Sequence, residues 1–124
     1  MFFRRRCYRT YESNKINKNE LIEKINQGAI LLDVRSIQEY NEGHLNGAIN
    51  IPEHEIERTV EQIIPKKNQL IVIYCQCGSR SIKAYNKMRN KGYTNIYDLT
   101  GGLNALIYAK IGNSNFSSSI IFFY

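Results

Sequence analysis

With 124 residues and 43% apolar content, the chain is long enough for one compact domain and too short for two ordinary ones. Its formal charge is +6, but Arg4, Arg5, Arg6 and Arg9 supply four of those charges, so the basicity is a local arm and no nucleic-acid partner is expected. Three cysteines, Cys7, Cys75 and Cys77, are an odd number, two of them separated by one residue; that is unlike the paired framework of a small secreted protein and fits a reducing, cytoplasmic setting.

Residues 1–8 place arginines directly after Phe2 and Phe3 and contain no apolar run long enough for a signal peptide or a membrane span. Residues 1–14 read as a solvated basic arm. Asn17 and Glu20 then have the spacing of a helix-start capping pair, and Leu21, Ile22 and Ile25 share one helical face until Gly28, which predicts a helix over residues 18–27. Residues 29–34 are a short apolar run suited to a strand buried on both faces of a parallel sheet. Ser36 and Glu39 repeat the capping spacing, so a short helix follows and stops near Gly43; residues 48–51 read as a second short strand closed by Pro52.

Ile56, Val60, Ile63 and Ile64 mark a helix face that ends at Pro65. Residues 70–74 form the cleanest predicted strand. From Ser79, the periodicity of Ile82, Ala84, Tyr85 and Met88 predicts a helix ending at Gly92. Residues 95–99 read as a strand, Gly101 and Gly102 as a turn, residues 103–111 as a last helix, and residues 112–124 as a loose tail whose apolar end, 120–124, is too short to span a membrane. Strands alternating with helices give an α/β domain over residues 15–111 with a mainly parallel sheet.

Cys75 falls directly after an apolar strand, before a glycine-containing turn and a helix start. In an open α/β sheet, ligands bind beyond the carboxyl ends of the strands. Backbone N–H groups of the turn and the first turn of the helix converge there and favour an anion, and a thiolate is one. Gly78 lets the backbone approach the bound group. Arg80 adds a fixed charge and a planar fork suited to an oxyanion. Ser79 or Ser81 is available to cap the helix or donate a hydroxyl hydrogen bond. Cys77 is either a second thiol that attacks a sulfur held on Cys75 or a small loop residue without a redox task. For Asp33, Glu39 and His44, ion pairing and backbone hydrogen bonding that pin the turn after a strand are the favoured roles. Arg35 is open between such a role and a substrate contact, and His54 is expected on the surface. The cysteines lack metal-ligand spacing, so no metal is expected.

Residues 32–35 (Leu-Asp-Val-Arg), Glu39-Tyr40, Gly43-His44-Leu45, Gly47-Ala48 and Asn50-Ile51-Pro52 precede Tyr74-Cys75, Gly78, Arg80-Ser81, Gly92-Tyr93 and Gly101-Gly102. In this order the segments resemble the single-domain rhodanese family, the thiosulfate sulfurtransferases, from about Lys15 to Leu106. The resemblance implies a central parallel sheet flanked by helices on both faces and Cys75 as the catalytic residue. It also implies that residues 75–80 form the active-site loop, so that Gln76, Cys77, Gly78, Ser79 and Arg80 are expected to contact the substrate, with Arg35, which follows a strand end that could reach the same rim, as a further candidate contact. The implied reaction takes sulfane sulfur from thiosulfate or a persulfide donor onto Cys75 and passes it to a thiol, cyanide or a protein acceptor, without a cofactor. A carrier module loaded by a partner protein would use the same Cys75. The four residues between Cys75 and Arg80 match the sulfur-transferring members, whereas the related phosphatases have one more. The family's tryptophan after its Gly-Gly pair is replaced by Leu106, which alters packing more than chemistry. A monomer or weak dimer is the expected assembly.

Overall fold

The structure, a computed structural model, describes residues 9–106. Residues 1–8, with Cys7 and the arginines at 4–6, lie outside the described residues, as do the predicted tail and the part of the last helix beyond Leu106.

Five strands form one parallel sheet in the order β1-β5-β4-β2-β3: β1 (Lys15–Ile16), β2 (Ile30–Asp33), β3 (Ile49–Asn50), β4 (Ile71–Tyr74) and β5 (Ile96–Leu99). Between them run α1 (Lys18–Asn26), α2 (Ile37–Glu42), α3 (Ile56–Ile63) and α4 (Ser79–Asn90), with a 3-10 turn at Glu53–Glu55. Both predicted capping boxes are present, Asn17 with Glu20 at α1 and Ser36 with Glu39 at α2. Gly43 ends α2 and Gly92, at φ +100°, follows α4.

Because alternate strand residues point to opposite faces, the sheet is buried on both sides. Leu32, Ile71, Ile73, Cys75 and Ile96 pack against Ile56, Val60 and Ile64 from the α3 segment and Ala84, Tyr85 and Met88 of α4. Leu31, Val72, Tyr74 and Leu99 pack on the other face with Leu21 of α1, Leu45, Leu103 and Leu106. Ile63 departs from the predicted face: it is 48% exposed. The chain leaves the helix at Ile64 (φ −125°, ψ 81°), and this extended residue, rather than the last helical one, turns into the core.

β1 is a two-residue edge strand that hydrophobic patterning misses. It exists through its pairing with β5, Lys15 opposite Asp98 and Ile16 opposite Leu99. Of residues 9–14, read from charge as part of the arm, Arg9 and Tyr11 lie against α4 and Asn14 bonds to β5. The Arg9 and Tyr11 N–H groups donate to the Asn90 and Asn86 side chains, and Arg89 stands 4.3 Å over the Tyr11 ring. Among the described residues no helix is long and apolar enough to cross a membrane.

Candidate active site

β4 delivers Cys75 at its carboxyl end, and α4 begins four residues later at Ser79. The N-cap position of α4 is Gly78, in the left-handed region at φ +111°, where a side chain would be strained. A glycine cap brings no side-chain acceptor, so the first N–H groups of the helix need one from elsewhere. The Cys75 sulfur supplies it. Gly78 N–H donates to Sγ at 3.0 Å and Ser81 N–H at 3.3 Å, with the Ser81 hydroxyl 3.6 Å away. Ser81 is buried and also donates from Oγ to the Gly78 carbonyl at 3.2 Å. Two backbone N–H groups at a helix start thus converge on the Cys75 sulfur, an arrangement suited to hold negative charge at that point.

The loop is held from behind by a second helix start, that of the helix expected from residue 103, which begins at the Gly101-Gly102 turn. Leu103 N–H donates to the Cys75 carbonyl and Asn104 N–H to the Gln76 carbonyl, each at 3.0 Å. This close approach requires glycine at 102: its φ is +60°, and a Cβ there would lie within 2.7 Å of the Gln76 carbonyl oxygen and closer still to that of Cys75.

Gln76 is clamped rather than free. Its amide nitrogen donates to Asn104 Oδ1 at 2.7 Å, and its Oε1 accepts from Arg35 Nη1 at 3.1 Å. Arg35 itself is 4% exposed. It donates from Nε and Nη2 to the fully buried Asp33 carboxylate and from Nη2 to the Gly43 carbonyl at 2.7 Å. Asn50 adds bonds to the Asp33 and Arg35 carbonyls. Asp33 therefore pins the turn after β2, and Arg35 ties that turn to the Cys75 loop. His44 has Nδ1 2.8 Å from the Tyr40 carbonyl and its ring stacked on that of Tyr40, while His54 is largely exposed.

Arg80 reaches across to α2. Its two terminal nitrogens meet the two Glu39 carboxylate oxygens at 2.6 and 3.0 Å, so the fork expected to face an oxyanion is engaged by a carboxylate. The hydrogen bond from Arg80, with further ones from Ser36, lowers the Glu39 carboxyl from 4.5 to about 2, against the opposing effect of burial. A carboxyl lowered on folding stabilises the fold above its ordinary value, and that contribution disappears as pH falls through the folded-state value. The difference in urea midpoint between wild type and Glu39→Gln is therefore expected to be constant near neutrality and to vanish between about pH 4.5 and 2. A difference that persists unchanged to pH 2 would remove the ion pair as its cause.

Cys77 is exposed on the rim and, with Gly78, Ser79, Lys15, Asp98 and Thr100, borders a cavity of about 240 Å³. Cys75 is fully buried and does not line this cavity; its sulfur is enclosed by the loop. Sequence reading missed Asp98, Lys15 and Asn104 as neighbours of the loop. For Asp98 a signal existed: a carboxylate in the otherwise apolar and aromatic Ile96-Tyr97-Asp98-Leu99 strand.

The Rhodanese-like domain model matches residues 17–108 of the chain. Thiosulfate sulfurtransferase PspE of Escherichia coli K12 is 34% identical, over 64% of this chain and 76% of that protein. A tRNA uridine(34) hydroxylase of Buchnera aphidicola is also 34% identical over 76% of this chain, but the chain spans only 30% of that protein. Among solved structures, the human single-domain sulfurtransferase TSTD1 superposes with a TM-score of 0.69 at 28% identity, covering 78% of this chain and 97% of that one.

Proposed function

The chain belongs to the rhodanese-like domain family, and from that premise we propose that it is a sulfurtransferase carrying sulfane sulfur as a persulfide on Cys75. The observation that carries this reading is the Cys75 sulfur accepting two backbone N–H groups at the start of α4. In the first half-reaction the thiolate attacks the outer sulfur of thiosulfate, the sulfur–sulfur bond of the donor breaks, and sulfite leaves with the electron pair. In the second, a thiolate or cyanide attacks the outer persulfide sulfur and the Cys75 thiolate leaves. The loop N–H groups serve both halves by stabilising negative charge on sulfur. Cys77 and Ser79 border the approach, and Gln76 and Arg35 hold the loop in place.

The sulfurtransferase names of two relatives support this chemistry. The hydroxylase name belongs to a protein of which the chain spans under a third. A second reading, a sulfur carrier loaded by a partner protein and slow with free thiosulfate, gains from one observation: Glu39 occupies the Arg80 fork that would otherwise bind a sulfonate. Intact mass after incubation with thiosulfate, followed by a cyanide chase, tests the proposal. A gain of one sulfur atom on the Cys75 peptide, lost on the chase, is expected. No gain from thiosulfate but a gain from a cysteine persulfide donor selects the carrier reading, and no gain from either removes both.

A further inference from the structure

Asp98 of β5 is paired with Lys15 of β1, and its N–H donates to the Asn14 carbonyl at 2.8 Å. Residues paired across neighbouring strands project to one face, and the period of two from the core residue Ile96 sets Asp98 on the face that carries Ile73 and Cys75. Asp98 is 2% exposed, and its Oδ1 has no hydrogen-bond partner among the described residues. A buried carboxylate oxygen without a donor is costly, and the cavity that Asp98 lines is where a donor can enter.

This cavity of about 240 Å³ has two poles. Lys15, which is exposed, and Ser79 at the start of α4 form a positive one, since the first N–H groups of a helix favour negative charge. Asp98 forms the negative one, and Ile82 of α4 supplies an apolar wall between them. Lys15 does not bond to Oδ1, and Arg80 is drawn away to Glu39 of α2, so neither cation supplies the missing donor. Burial pushes the Asp98 carboxyl up against the opposition of Ser81, Lys15 and Ser13, and a cation in the cavity would draw it back towards the ionised form. The volume is below the range of about 300–1,000 Å³ usual for drug-sized ligands, so the occupant has only a few heavy atoms. The cavity also adjoins the reactive loop: Gly78, on its wall, donates its N–H to Cys75 Sγ at 3.0 Å.

We propose that this cavity is the acceptor subsite of the sulfurtransferase and takes a small aminothiol of the cysteine type, with Asp98 holding the ammonium group and Lys15 and the start of α4 the carboxylate. The proposal rests on Cys75 as the sulfur-carrying residue. In the second half-reaction the thiolate of the aminothiol attacks the outer sulfur of the Cys75 persulfide. A sulfur–sulfur bond forms to that atom, its bond to Cys75 Sγ breaks, and the electron pair stays on Cys75 as a thiolate. The product leaves as the aminothiol persulfide, and nothing is oxidised or reduced overall. A thiol without an amino group leaves Asp98 uncompensated, which is the basis of the discrimination.

Binding is tested apart from turnover with L-serine, the oxygen isostere of cysteine, followed through amide chemical shifts of the wild-type protein. Shifts should concentrate at Lys15, Cys77, Ser79 and Asp98, and hydroxypropionate, which lacks the amino group, should bind about tenfold more weakly. Equal responses to the two, including none to either, overturn the proposal. Turnover is then measured with thiosulfate as donor and cysteine, cysteamine, mercaptopropionate or β-mercaptoethanol as acceptor, in wild type, Asp98→Asn and Lys15→Met. Each thiol is compared with itself across proteins, so differences in thiol acidity cancel. Asp98→Asn should lower kcat/KM for the two amino-bearing thiols about tenfold more than for the other two, mainly through KM. Lys15→Met should lower it about threefold more for cysteine than for cysteamine, which has no carboxylate. An equal loss with all four thiols would assign Asp98 to support of the loop, and no loss with any would remove the subsite. Loading of Cys75 without discrimination between thiols overturns the subsite and leaves the sulfurtransferase reading; selective serine binding without loading does the reverse.

Discussion

Cys75→Ser is expected to abolish sulfur loading and thiosulfate-to-cyanide transfer, a fall of about 10⁴-fold or more, as when a covalent nucleophile is removed. The substitution isolates chemistry from structure. A serine oxygen still accepts from the Gly78 and Ser81 N–H groups that reach Sγ at 3.0 and 3.3 Å, so the start of α4 retains its acceptor. The Cys75 carbonyl remains bonded to Leu103 N–H. The melting temperature should therefore stay close to that of wild type while activity disappears, because a hydroxyl is neither ionised at neutral pH nor able to form the sulfur–sulfur bond. Cys77→Ser is the matching control. Cys77 is exposed on the rim, outside the set of donors around Cys75 Sγ, and its replacement should leave loading intact. Should Cys77→Ser abolish loading and Cys75→Ser retain it, the sulfur would be carried on the wrong side of the loop for this geometry.

What could be read from the sequence was local. The capping box of α2 needs only Ser36 and Glu39 three residues apart, and the placement of Cys75 needs only an apolar strand, a glycine and a helix start in succession. Both are present because the interactions that create them close within a few residues. The fold class followed from the same alternation of strand and helix. The contacts that complete the candidate site are of another kind. Arg80 finds Glu39, and Arg35 finds Gln76, each across 41 residues of chain. No periodicity encodes such a pairing; it is created when β2 and β4 become neighbours in the sheet. Glu39 is instructive, because its local task and its distant one use the same carboxylate: Oε1 accepts from Ser36 in the capping box and from Arg80. The exposure of Ile63 likewise escapes helical periodicity, since the helix ends there and the extended Ile64 takes the core position.

Arg35→Ala should produce the largest loss of stability among substitutions around the loop, about 3–5 kcal/mol, the range for removing one partner of a buried ion pair. Asp33 is fully buried and accepts from the Arg35 backbone N–H at 2.9 Å, from Nε at 3.1 Å and from Nη2 at 2.8 Å. Truncation removes every guanidinium donor from the buried carboxylate, which keeps the Arg35 backbone bond and the hydrogen bond with Tyr74 but loses its counter-charge. In a domain whose total stability is of the order of 5–15 kcal/mol, this would appear as a large fall in urea midpoint. The double variant Arg35→Met with Asp33→Asn distinguishes the causes. With no charge left to strand, it should recover much of the stability, whereas a loss as large as that of the single variant would assign the effect to packing. Activity should not recover in parallel, because both variants lack the Nη1 bond that holds Gln76 Oε1 at 3.1 Å. Stability restored with sulfur loading still slow is the result expected if Arg35 positions the Cys75 loop from behind. Arg35→Lys, which keeps the charge without the fork, should then lie between wild type and Arg35→Ala in activity without a selective rise in KM for thiosulfate. A selective rise in KM would instead make Arg35 a substrate contact, the other role that its position after β2 leaves open.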